Sequence, residues 1–228
     1  MWTTSGSGAF GNTTSLSTTY SPSAADIAAG SVTLTLTSTN AAAPCPEESA
    51  STTLTINAIP PAPVVSSPVC VNNAGMYDLS TITTVTNWYS DAVLTMELTG
   101  TALTVSPTTS TTYYGVFDNG NCVSLASSLV VNPLPTVTMS ALAEVCASAS
   151  TFPLTIGSPT GGTYSGTGVV GGTDFNPAVA GAGTHTITYS YTDPTTGCMN
   201  TATTSITVDP IPVISNVVTG CVLSLIHI

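Results

Sequence analysis

Six cysteines carry the most specific chemistry in this sequence, because their spacing is regular. A thiol pair can close a disulfide, hold a metal ion or, when activated, act as a nucleophile. Cys70 and Cys122 lie 52 residues apart, as do Cys146 and Cys198. Cys45, Cys122 and Cys198 recur at intervals of 77 and 76, and Cys70, Cys146 and Cys221 at 76 and 75. Two interleaved series of one period describe a tandem array with one cysteine of each kind per repeat. Zinc sites bring ligands together in close pairs such as C-x2-C, so a spacing of 52 favours disulfides over metal. The expected bridges are Cys70–Cys122 and Cys146–Cys198, each closing a loop of about 50 residues worth about 4 kcal/mol. Cys45 is then the second cysteine of a repeat truncated at its start, and Cys221 the first of a repeat truncated at its end. Both are left unpaired, in a fragment of a longer repetitive protein.

The other candidate groups are weaker. Asp26, Asp118, Asp174, Asp193 and Asp209 lie in or near turns, where hard oxygen ligands can converge on calcium. Asp174 and Asp193 are the closest to a candidate metal pair, but no segment carries the dense Asp-x-Asp-x-Asp spacing of a dedicated loop. Calcium is the one cofactor the sequence leaves open. His185 begins a strand-like segment, and nothing local supplies the oriented nucleophile a hydrolytic triad needs. It reads as a half-exposed strand histidine. Gly6-x-Gly8-x-x-Gly11 and Gly166-x-Gly168-x-x-Gly171 match the dinucleotide fingerprint, yet neither opens a helix within a βαβ pattern, so both read as glycine-supported turns or bulges. Trp88-Tyr89 and Tyr113-Tyr114 can stack on sugars; adjacent strand residues face opposite sides, so one of each pair is expected in the core.

Composition narrows the partners. The 228 residues hold no Lys or Arg and eleven Asp plus Glu, for a formal charge of −11. Such a surface cannot neutralise phosphates or hold an anionic lipid surface, which excludes nucleic acid and acidic membranes. It also lacks the Lys and Arg used in phosphoryl transfer and much cofactor chemistry, so the chain reads as noncatalytic. Apolar residues make up 42%, enough for a folded core, and no run reaches the roughly 20 needed to cross a bilayer.

These groups need short strands and tight turns to position them. Ser31-Val32-Thr33-Leu34-Thr35-Leu36-Thr37 and Thr184-His185-Thr186-Ile187-Thr188-Tyr189-Ser190-Tyr191 alternate with period two, one face largely apolar and the other Thr-rich. Asp118-Asn119-Gly120-Asn121 and Asp193-Pro194-Thr195-Thr196-Gly197 predict hairpin turns directly before Cys122 and Cys198. Asn132-Pro133-Leu134-Pro135, Asp209-Pro210-Ile211-Pro212 and the looser Ile59-Pro60-Pro61-Ala62-Pro63 each follow a strand-like segment, stop it and stiffen a linker. The predicted units are therefore 1–60, truncated at its start, 64–132, 136–209 and a stub at 213–222. Leu223-Ser224-Leu225-Ile226-His227-Ile228 breaks the pattern, matches the translation of a transposase mosaic end, and reads as a sequencing-adapter artefact.

The first and third units align beyond their cysteines: Ser5-Gly6-Ser7-Gly8 with Ser165-Gly166-Thr167-Gly168, Tyr20-Ser21-Pro22 with Phe175-Asn176-Pro177, and Ala29-Gly30 with Ala182-Gly183. From Gly161-Gly162-Thr163-Tyr164 through Gly183-Thr184-His185-Thr186 to Gly197-Cys198, the chain resembles the Ig-like and PKD-like repeats of very large secreted proteins of gliding bacteria. Tyr20 to Gly30 resembles another segment of the same arrays. The resemblance covers essentially residues 1–222 and implies an all-β fold of tandem antiparallel Ig-like sandwiches, each about 75 residues. It further implies an extracellular or cell-surface location and export by type IX secretion through a gliding-motility-associated sorting domain. The chain departs from antibody domains, which carry Tyr two residues before the second cysteine; here Gly120 and Thr196 stand there. The expected function is that of a spacer or multivalent adhesive segment. Its expected partners are neighbouring repeats of the same chain, surface glycans and other cell-surface proteins. The alternative is a glycan-binding accessory region of a secreted polysaccharide-degrading enzyme.

Overall fold

The computed structural model describes residues 1–38 and 46–213. Cys45, Cys221, nearly all of the 213–222 stub and residues 223–228 lie outside them. The described residues form two compact units. One comprises Met1–Ser67, Asp78–Val105 and Thr111–Val130, the other Pro68–Tyr77, Ser106–Ser110 and the chain from Val131 onward.

At the N-terminus, Thr alternates with Val and Leu along Ser31–Thr37, which lies centrally between Trp2–Thr4 and Ser49–Thr55. Both neighbours run antiparallel, in the registers Trp2↔Leu36 and Val32↔Leu54. A short helix, Ala24–Ala29, precedes the central strand. Ser23 accepts from the Asp26 amide, the Asp26 carboxylate accepts from the Ser23 amide, and Gly30 closes the helix in the left-handed region at φ 75°.

In the second unit, the four-stranded sheet runs Val145–Cys146, Met199–Asp209, Gly183–Thr192, Thr163–Ser165. A three-stranded sheet of Phe152–Pro153, Asp174–Phe175 and Val169–Val170 supplies the opposing layer. Between them sits one core of Leu154, Tyr164, Phe175, Ile187, Tyr189, Ile206 and Val208. Alternation places Ile187 and Tyr189 inward and Thr186 outward, as the period-two pattern predicts. The aligned Asn176-Pro177 segment opens a second short helix, Pro177–Ala180, capped by the Asn176 side chain. These helices occupy matching places before Ser31–Thr37 and Gly183–Thr192.

The intervening segment folds on a five-stranded sheet ordered Val69–Cys70, Ser127–Asn132, Thr111–Val116, Asn87–Tyr89, Glu97–Leu98. Leu79, Trp88, Val116, Leu129 and Val131 are buried. Apart from short helical turns, the described residues fold as β-strands. Their sheets depart from all-antiparallel pairing at two corresponding places. Val69–Cys70 runs parallel to the end of its last strand, Cys70 opposite Asn132, and Val145–Cys146 does the same, Cys146 opposite Asp209.

Candidate functional site

Cys70 is bonded to Cys198, 128 residues away, with Cα atoms 5.7 Å apart. Cys122 and Cys146 are free thiols. The structure thus corrects the expected bridges Cys70–Cys122 and Cys146–Cys198. The physical reason lies in the last strand of the third repeat. Cys146 pairs opposite Asp209 at the strand's C-terminal end, whereas Cys198 immediately precedes Met199 at its N-terminal end. Eleven residues of extended chain separate those ends, about 36 Å at about 3.3 Å per residue, far beyond the span of a disulfide. Spacing along the chain brings the two thiols into one repeat without bringing them to one end of it.

Each class of cysteine has one environment. The first-position residues Cys70 and Cys146 both follow Val on a two-residue parallel strand. The next amide in each case donates 2.9 Å to the carbonyl of the last-strand residue, Val71 to Asn132 and Ala147 to Asp209. The second-position residues both follow a hairpin turn. Asn119 Oδ1 accepts from the Cys122 amide at 2.9 Å, while the Asp193 amide donates to the Cys198 carbonyl at 2.9 Å. Gly120 and Gly197 hold the left-handed turn positions at φ 83° and 73°. Cys198 is fully buried and Cys122 half-buried, its thiol 3.6 Å from the carbonyl oxygen of Asn57. The Ser148 hydroxyl, 3.1 Å from Cys146 Sγ, draws the Cys146 thiol below the ordinary thiol range.

The acidic candidates are engaged locally. Asp174 accepts from the Thr173 hydroxyl at 2.7 Å, Asp193 from the Thr195 amide at 2.8 Å, and Asp118 from the Gly120 amide at 2.8 Å. Among the described residues, at Asp174 and Asp193 or elsewhere, no three His, Cys, Asp or Glu side chains form a metal-holding cluster.

Asp26 is different. It is 3% exposed, and its carboxylate accepts from the Ser7 amide at 2.9 Å, the Ser23 amide at 3.0 Å and the Tyr20 hydroxyl at 2.7 Å. These donors, the backbone amides first, hold its carboxyl well below the usual carboxylate range. Sequence reading missed this network. Its signal was Ser23-x-x-Asp26 before an Ala-rich run and Gly30, a capping box on a helix that the strand-dominated pattern concealed.

His185 is half-buried, and its Nε2 lies 2.8 Å from the Gly181 carbonyl oxygen. The glycine motifs are turns. Gly166, at φ +138°, approaches so closely that a Cβ would collide with the Thr186 carbonyl oxygen, and one at Gly6 would collide with the Asp26 carboxylate. Trp88 and Tyr113 enter the core, at 2% and 8% exposure. Tyr89 and Tyr114 stay half-exposed and directly opposite each other across the antiparallel pair. Trp88 Nε1 is buried without a hydrogen-bond partner.

Among the described residues no helix is long and apolar enough to cross a membrane. No family model matches the chain, and no curated protein matches it. Among solved structures it is similar to the Sidekick-1 immunoglobulin domains 1-5, at 14% identity and a TM-score of 0.25, over 85% of this chain and 48% of that one. It is also similar to a Ca2+-stabilized adhesin with which an Antarctic bacterium reaches out and binds ice, at 12% identity and a TM-score of 0.25, over 85% of this chain and 60% of that one. The chain therefore spans about half to three-fifths of the lengths of these structures.

Proposed function

We propose that this chain is a noncatalytic structural and adhesive segment of a large secreted or cell-surface bacterial protein, in which tandem Ig-like repeats act as a covalently braced spacer. The observation that carries the reading is the disulfide between Cys70 of the 64–132 repeat and Cys198 of the 136–209 repeat. A bond between successive repeats does little for chemistry and much for load. Force applied along the chain bypasses the residues between the two cysteines, because the bridge carries it. The Pro-rich linkers between repeats add stiffness, and the absence of Lys and Arg leaves no site for trypsin-like proteases. A disulfide of this kind persists in an oxidising compartment, which supports an extracellular location. The motifs at Gly161 to Cys198 and Tyr20 to Gly30 support the finer reading, a surface protein of gliding bacteria exported by type IX secretion. Weak contacts made by each repeat, with surface glycans or other cell-surface proteins, gain strength by multivalency.

Single-molecule pulling between the termini tests this. With the bridge intact, the contour released on full unfolding should fall short of the reduced chain by about 460 Å, from 128 residues at about 3.6 Å each. Equal contours in oxidised and reduced protein would remove the load-bearing role.

A further inference from the structure

We propose that the free thiols Cys122 and Cys146 are open ends of a staggered disulfide ladder, in which the first cysteine of every repeat bonds to the second cysteine of the next repeat. Their partner is a further repeat of this same type in the same polypeptide. The inference deepens the proposed spacer function and rests on it.

Three observations converge. First, the two cysteines of one repeat sit at opposite ends of its last strand, so a repeat cannot close its own bridge. Second, Cys146 has the surroundings of the bonded Cys70: the same Val-Cys strand, the same parallel register against the end of the last strand, and the same 2.9 Å amide bond after it. Third, Cys122 already lies where a partner would meet it. The segments Leu54-Thr55-Ile56-Asn57, Leu129-Val130-Val131-Asn132 and Ile206-Thr207-Val208-Asp209 align, so Asn57 corresponds to Asn132 and Asp209. Cys70 lies beside Asn132 and reaches Cys198; Cys122 lies 3.6 Å from the carbonyl oxygen of Asn57, the equivalent place one repeat earlier. The first cysteine of that earlier repeat is the group that would stand between them.

The rule also accounts for the one bridge among the described residues. One period of 76 residues before Cys70 falls ahead of Met1, and one period after Cys198 falls past Ile228. Cys70 with Cys198 is therefore the one first-to-next-second pair that residues 1–228 contain. Cys45 and Cys221 belong to the same two classes by spacing and lie outside the described residues. Closing each rung joins two sulfur atoms, removes two protons and two electrons from the thiols, and passes them to a small disulfide such as oxidised glutathione, which leaves as two thiols.

The experiment compares the full chain with an extended chain in which a second copy of residues 133–209 follows Asp209 in place of the tail. Both are refolded with oxidised glutathione, alkylated without reduction and mapped with chymotrypsin. In the full chain, Cys70–Cys198 should form while Cys122 and Cys146 are alkylated. In the extended chain, whose appended copy carries Cys146→Ser to remove its own open thiol and Thr195→Ser to mark its second-cysteine peptide by mass, alkylation of Cys146 should disappear and a peptide should join it to the mass-marked second cysteine of the appended copy, with Cys70–Cys198 retained as the folding control. A bridge inside either copy, or a free Cys146 beside an intact Cys70–Cys198, overturns the ladder and leaves the spacer function standing. Failure of Cys70–Cys198 in the full chain overturns both.

Discussion

Tyr20 donates its hydroxyl hydrogen to Asp26 Oδ2 at 2.7 Å, while its oxygen accepts from the Gly8 amide at 3.1 Å and the Thr4 hydroxyl at 3.2 Å. One ring thus ties the N-terminal strand, the glycine turn and the helix cap to a buried carboxylate. A chain without Lys or Arg offers no side-chain ammonium or guanidinium to neutralise such a group, so amides and hydroxyls do it instead.

That arrangement sets an acid dependence. The folded pKa of Asp26 lies below its unfolded value of 3.8, so its contribution is complete above the unfolded value and is lost as pH falls through the folded one. Asp26→Asn should destabilise the N-terminal segment at neutral pH, and the gap to the natural chain should close progressively below about pH 4. Urea midpoints followed by the separate 19F resonance of fluorotryptophan at Trp2 across that range measure it. A gap that stays constant with pH would show that the carboxylate charge is not what the network stabilises.

In the third repeat, Tyr189 accepts from the Gly162 amide at 2.7 Å and donates to the Pro159 carbonyl at 2.5 Å, with its ring 4.6 Å from that of Tyr164. Tyr189→Phe keeps the ring and strands both loop groups, which should cost about 1–3 kcal/mol. Denaturant unfolding of the variant and faster amide exchange at Gly162 are the expected readouts.

Gly166 stands at φ +138° against the Thr186 carbonyl. Gly166→Ala meets both a backbone conformation that L residues rarely adopt and a collision with main chain, so it should destabilise by at least about 1–3 kcal/mol. Gly181→Ala, at φ +76° with nothing near its Cβ position, should cost less. Thermal midpoints of the two variants compared side by side check the ranking.

Removing the bridge is the larger change. Cys70→Ser opens a loop of 128 residues, for which the chain-entropy model gives about 5 kcal/mol. The loss should appear equally on adding reductant to the natural chain, and reductant should then leave Cys70→Ser unchanged. If reductant still destabilises Cys70→Ser, another bridge has formed in it.

Much was legible in the sequence because it depends on short-range patterns. Alternating Thr and apolar residues marked Ser31–Thr37 with its observed limits, since period two buries one face whatever lies opposite. The Asp-Asn-Gly and Asp-Pro-Thr-Thr-Gly turns before Cys122 and Cys198 stood where expected, because their glycines supply the positive φ. Trp88 and Tyr113 went inward and Tyr89 and Tyr114 stayed half-exposed for the same alternation. The helix at Ala24–Ala29 was missed: six residues fall within a strand-rich stretch, and only the cap announces them.

The cysteines divide the two levels most clearly. Sequence by itself determined that there are two classes, one of each per repeat, at a constant period, because repetition along a chain is a property of the chain. Which class member bonds to which was decided by tertiary structure alone. A disulfide needs Cα atoms within about 7 Å, and an extended strand of eleven residues carries its ends about 36 Å apart. Folding therefore placed the two thiols of one repeat at opposite ends and brought Cys70 to Cys198, across 128 residues, instead.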